Sequence, residues 1–213
     1  MFESLTASKD DAINILKADH DKVKDIFDKF ENASTLSEKK RLAAQAIYEL
    51  KIHAEIEEKI FYLTVRKELE NKIMNEADEE HHVAKLLIAE LENIPANDDH
   101  WEAKFIVLAE NIRHHIKEEE GKMLPKARSL DVDFEALGQS MLAMKSELKK
   151  NGIPPSDEAR MIKKTRLVDS PAKAARKGKS KAKKARGNGT GKAHVYSQTK
   201  SKAPKENRKH SHA

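Results

Sequence analysis

Between residues 8 and 150 the apolar side chains recur every three or four positions, glycine is scarce and no alternating run appears, so helices account for the pattern. The breaks divide this stretch into predicted helices of roughly 9–31, 38–69, 72–93 and 100–127, with the boundary near Glu70 to Lys72 marked only faintly. SKDD at Ser8 reads as a cap followed by an acid three residues on, NASTLSE at Asn32 as a connection ending in a second cap, and ENIPANDD as a break at Pro95 that restarts at an Asp cap. Short connections favour antiparallel neighbours, hence an all-α, up-down four-helix bundle. A fifth segment puts Phe134, Leu137, Met141, Met144 and Leu148 on one stripe and ends at Gly152 before Pro154-Pro155, as an added helix packed across the bundle would.

Each stripe, followed in steps of three and four, runs through polar residues. The first reads Ile13, Leu16, His20, Val23, Phe27, Phe30, and the second Ala43, Ala46, Leu50, His53, Glu57, Ile60. The third reads Met74, Ala77, His81, Ala84, Ile88, Leu91, and the fourth Phe105, Leu108, Ile112, His115, Glu119, Met123. Their neighbours fall elsewhere: His82 aligns with Asn75, Asp78, Lys85 and Ala89, and His114 with Val107, Asn111 and Glu118, which marks both as outward. By the same faces Glu118 and Glu120 belong to the surface. His20 to His53 spans 33 positions and His81 to His115 spans 34, and both His53 and His115 are followed by Glu four residues on. The chain thus repeats a helical hairpin. Choosing His82 would equalise the spacings, but the apolar stripe favours His81.

Six polar groups on core positions need compensation, because a buried carboxylate without a partner is very costly and a buried imidazole needs both nitrogens satisfied. Two hydrogen-bonded His–Glu pairs would serve one such layer. Metal ions would serve all six, since i, i+4 spacing sets His and Glu on one face, about 6 Å apart along the axis. Imidazole with carboxylate and no thiolate suits iron, manganese or zinc better than copper(I).

Charge divides the 213 residues unevenly. Residues 1–150 carry a net −9 and residues 151–213 a net +14. The first part is expected to be the metal-binding bundle and 151–170 a linker; 171–213, rich in Lys, Ala and Gly with Tyr196 as its one aromatic, is expected to be a disordered basic tail. Such a tail would attract nucleic acid without sequence preference and with strong salt dependence, or merely solubilise the chain. An anionic membrane surface is a lesser partner, and the scattered tail histidines His194, His210 and His212 make no metal site. The absence of cysteine, of a spanning apolar run and of a basic-apolar leader in MFESLTASKDD leads to the expectation of a cytoplasmic protein.

With the motifs DH at Asp19-His20, HAEIEEKIFY from His53, EHHVAKLLIAEL from Glu80 and HHIKEEEGKMLPKAR from His114, the stretch from about 9 to 150 resembles the hemerythrin-like HHE cation-binding domains. The resemblance implies a four-helix bundle in which His20, His53, Glu57, His81, His115 and Glu119 ligate a non-haem di-iron centre. Each iron would take two histidines, both glutamates would bridge, and an oxo or hydroxo group would complete the pair. The oxygen-carrying hemerythrins place a second histidine four positions after the third-helix ligand and an aspartate in the fourth helix. Lys85 and Glu119 stand here instead, which argues against dedicated oxygen transport and leaves a coordination position for oxygen, peroxide or nitric oxide. Many relatives also carry proline where this chain has Leu63, whereas Pro125 is retained. The expected function is binding or sensing of such a ligand; the alternatives are an enzyme that decomposes peroxide or reduces nitric oxide, and a nucleic-acid-associated protein acting through its tail.

Overall fold

The structure, a computed structural model, describes residues 8–169, so the predicted 171–213 tail and its proposed nucleic-acid contacts lie outside the described residues. The described residues form helices and contain no strand. Helix α1 (Ala12–Asn32) starts three residues later than 9–31, because Asp11 rather than Ser8 is the cap: its carboxylate accepts from Asn14 N at 3.0 Å. Helix α2 (Leu36–Ile56) is capped by Thr35, whose hydroxyl accepts from Glu38 N at 3.2 Å. A π-turn over Glu57–Phe61 then leads into the short α3 (Tyr62–Val65). Helix α4 (Asn71–Leu91) follows, and α5 (Trp101–Glu118) passes through a second π-turn, Glu119–Met123, into α6 (Leu124–Arg128). The Asp expected to cap α5 sits earlier: Asp98 accepts from His100 N at 2.9 Å, in the turn that launches the helix.

The chain runs up and down, so the start of α1, the end of α2–α3, the start of α4 and α6 share one end of the bundle. There Ile13, Leu16, Phe61, Tyr62, Met74, Met123 and Leu124 form one apolar cluster. At the other end Phe27, Phe30, Leu42, Ile88, Trp101 and Phe105 form a second. Within it the Phe30 ring packs at a tilt against Phe105, with ring centroids 4.2 Å apart.

Helix α7 (Phe134–Asn151) packs on α1 and α2, and Gly152 ends it with φ 88°, a conformation glycine adopts without strain. Its close approach to α1 needs Gly138: a β-carbon there would lie 1.9 Å from the carbonyl oxygen of Asp10.

Residues 151–170, expected to be a linker, include a further helix, α8 (Asp157–Asp169), which packs on α4. Its sequence is too polar to advertise a buried stripe, but its start is signalled. Ser156 accepts from Ala159 N at 3.2 Å, and Asp157 and Glu158 occupy the first turn. Glu158 is buried and accepts from the exposed His82 at 2.7 Å, so the outward histidine of α4 fastens this element. Among the described residues no helix is long and apolar enough to cross a membrane.

Candidate metal centre

The polar residues of the four stripes form one layer between the two apolar clusters. His20 sits between Leu16 and Val23, His53 between Leu50 and Ile56, His81 between Ala77 and Ala84, and His115 between Ile112 and Met123. All six predicted residues, His20, His53, Glu57, His81, His115 and Glu119, are buried and meet in this layer. Both π-turns begin at its glutamates. Beyond each glutamate the buried positions fall four, five and eight residues on: Phe61, Tyr62 and Val65 after Glu57, and Met123, Leu124 and Ala127 after Glu119. The extra residue of the π-turn moves the apolar face one position later, which is why Ile60, assigned to the stripe, is only half-buried. Such a turn lets the carboxylate and the aromatic or apolar residues beyond it all face inward.

The imidazoles pair across the layer. His20 Nε2 lies 3.2 Å from His53 Nε2, and His81 Nε2 lies 3.3 Å from His115 Nε2. Glu57 Oε2 is 3.0 Å from His53 Nε2 and 3.3 Å from His81 Nε2, so this carboxylate touches both pairs. Glu119 Oε2 is likewise 3.3 Å from His20 Nε2 and 3.8 Å from His115 Nε2. Tyr62, fully buried, donates to Glu119 Oε1 at 3.0 Å and stands 3.4 Å from His81 Nε2.

Every outer nitrogen is tied to a carboxylate. His20 Nδ1 meets Glu120 at 2.9 Å, His53 Nδ1 meets Asp19 at 3.5 Å, His81 Nδ1 meets Glu58 at 2.8 Å and His115 Nδ1 meets Glu80 at 2.8 Å. Three of these carboxylates face lysines: Lys145 of α7 reaches Asp19 at 2.5 Å, Lys85 reaches Glu58 at 2.6 Å, and Lys24 lies 3.8 Å from Glu120. Lys85, at the position where oxygen carriers have a histidine, thus supports the carboxylate that orients His81. Burial opposes charge on Asp19 and Glu58, yet His53 with Lys145, and His81 with Lys85, hold them below the usual carboxylate range.

With each Nδ1 proton donated outward, each Nε2 presents a lone pair to the centre. These lone pairs face one another and face carboxylate oxygens: neither oxygen of Glu57, nor Oε2 of Glu119, receives an aligned hydrogen bond. Buried acceptors crowded in this way demand positive charge. Without a cation, protons must supply it. Although burial disfavours imidazolium, Glu57 and Asp19 raise His53 to about 10, and Glu57 and Glu58 raise His81 to about 9. Against the same burial, His53 and His81 hold Glu57 well below its ordinary value. Burial, then Glu119 and Glu57, push the Tyr62 phenol well above its own. Two sets of donor atoms converge closely enough for metal ions, one from His20, His53, Glu57 and Glu119 and one from Glu57, His81 and His115, with the atoms of each set within 4.8 Å of one another. The donor set fits cations of the iron, manganese or zinc type.

His82 and His114 stay at the surface, their side chains 49% and 63% exposed. Glu118 pairs with Lys122 on the outside, but Glu120, assigned to the surface with it, turns toward His20. The apolar stripes do not reveal Asp19, Glu58 and Glu80 either, because they mark only core positions. A signal for them existed: each adjoins a stripe residue, as Asp19-His20 and Glu80-His81 in one repeat position and Glu57-Glu58 and Glu119-Glu120 in the other.

A helical bundle with a buried His and Glu layer of this kind has the donor set of a metal-binding protein. The sequence profile of the hemerythrin HHE cation binding domain matches residues 11–127, over half of the chain, and the chain belongs to that family. Its fold is similar to the crystal structure of a hemerythrin HHE cation binding domain-containing protein from Mycobacterium kansasii. That similarity has 24% identity and a TM-score of 0.57, over 66% of this chain and 88% of that one. No significant match is found among curated proteins.

Proposed function

We propose that the chain is a non-haem di-iron protein that binds or senses oxygen, peroxide or nitric oxide at this buried centre. The observation that carries the reading is the convergence of four imidazole lone pairs, each fixed by an outer carboxylate, on two glutamates with unmatched oxygens. In this reading His20 and His53, with Glu57 and Glu119, would hold one ion, and His81 and His115, with Glu57, would hold the other. Bound iron would supply a redox-active Lewis acid for a small oxidant. The chain's own part is to fix the imidazole tautomers, to orient Glu119 through the Tyr62 hydroxyl, and to hold the polar layer between the apolar clusters above and below.

Metal analysis with absorption spectra taken anaerobically and after admission of air tests the proposal. Two irons per chain and a spectrum that changes with air are expected; stoichiometric zinc with a featureless spectrum would defeat it. Steady-state consumption of peroxide or nitric oxide by the iron-loaded protein separates the enzymatic alternative from simple binding or sensing.

A further inference from the structure

A cavity of about 310 Å³ opens from the histidine side of the centre. Val23, Leu50, Ala84, Ile88, Ile112 and Ile116 of α1, α2, α4 and α5 supply its apolar wall, and His20, His53, His81 and His115 stand at its inner end. The outer wall is the strap Ile153-Pro154-Pro155 with the first turn of α8, the element that His82 fastens through Glu158.

Size and charge both say what this space accepts. A small oxidant needs about one water's share of volume, about 30 Å³, so the cavity has room for about ten such molecules. Clefts of this size with a mostly apolar wall are where proteins seat organic ligands. The charged groups around it are matched to one another: Lys51 with Glu92 at 2.8 Å, Lys59 with Glu55 at 2.5 Å, Lys85 with Glu58 at 2.6 Å, and Arg160 with Asp157 at 2.9 Å. None of these cations is left over for an anionic ligand, the positive charge at the inner end is already faced by Glu57, Glu119 and the four outer carboxylates, and an unpaired charge brought against the aliphatic wall would lose its hydration without return.

We propose that this cavity is a binding site for a neutral organic molecule with an apolar body and one oxygenated head, the head directed at the four histidines. The proposal extends the small-oxidant reading of the centre, since an organic hydroperoxide is a member of this class. Seating of the apolar body is a property of the cavity itself and needs no iron.

The test is calorimetric titration of the full-length, iron-loaded protein with 2-phenylpropan-2-ol, a neutral and redox-inert probe, beside the anion 4-isopropylbenzoate. Binding of one alcohol per chain is expected, with the anion weaker by about tenfold or more. Ala84→Leu, and separately Val23→Phe from the opposite wall, should each weaken alcohol binding by about tenfold at unchanged iron content and helicity. The assignment is overturned by absence of binding, by undiminished affinity in both folded variants, or by preference for the anion. Repeating the titration after chelation distinguishes the two readings. Alcohol binding in a protein that takes up no iron would sink the di-iron proposal and leave the cavity site standing; iron uptake and reaction with hydrogen peroxide without alcohol binding would do the reverse.

Discussion

The four central imidazoles are oriented by what holds their outer nitrogens. Glu80 accepts from His115 Nδ1 at 2.8 Å, which fixes the tautomer and turns Nε2 toward Glu119, whereas the adjacent His114 lies outside the layer with its Nε2 3.5 Å from the other oxygen of Glu80. Three levels of effect follow for variants of one helix face. His115→Ala and Glu119→Ala should lower bound iron strongly, because each removes a donor from the layer. Glu80→Gln keeps the shape but lets an amide replace a carboxylate, and should weaken metal affinity by about 10–100-fold with helicity unchanged. His114→Ala should leave iron nearly as it was. Metal titration of the four variants is the measurement, and equal loss in all of them would remove the distinction between inner and outer histidines. The sequence displays the six inner residues plainly, since each interrupts an apolar stripe. It displays the outer carboxylates poorly, because Asp19, Glu58, Glu80 and Glu120 sit one position away from that stripe and look like ordinary surface acids until the helices are assembled.

Among the elements, the four main helices follow from hydrophobic spacing, while the details that aim them do not. A π-turn inserts one residue without changing composition, so nothing before Glu57 or Glu119 announces it; only the apolar positions afterwards, Phe61 and Tyr62 or Met123 and Leu124, record the shift. Likewise α8 is a polar helix recognisable by its Ser156 cap rather than by a buried face. The placement of α7 rests on one residue. Gly138 brings this helix against the backbone of Asp10, and seven residues on Lys145 reaches Asp19, the carboxylate behind His53. Gly138→Ala should therefore cost about 1–3 kcal/mol, as inserting an atom into a closely packed contact does. Because the neighbouring atoms are backbone, little relief is available by side-chain rotation. The melting temperature should fall by about 2–4 °C for each kcal/mol lost, while Gln139→Ala at the exposed next position should leave it unchanged. Equal melting temperatures for the two variants would mean that α7 can slide on α1 at no cost.

At the scale of the whole bundle, the fold encloses a polar layer between two apolar clusters, so its stability must depend on what neutralises that layer. Protons and metal ions compete for the same lone pairs. In the metal-free protein His53 and His81 have values of about 10 and 9, above the ordinary 6.5, because Glu57 and the outer carboxylates outweigh burial. Groups raised in this way stabilise the folded state fully below about pH 6.5, where both folded and unfolded forms are protonated, and that stabilisation is lost as pH climbs through 9 to 10. A bound cation takes over the role of those protons, so the loaded protein does not share this loss, and apparent metal affinity rises over the same interval. Ionisations common to both forms cancel in a comparison of the two, which makes the difference between the forms the informative quantity. Thermal melts of the metal-loaded and chelator-treated protein at intervals from pH 6.5 to 10.5 should show curves that diverge with rising pH, the metal-free form falling faster. Parallel curves would mean that the central histidines do not carry the protons on which this balance depends.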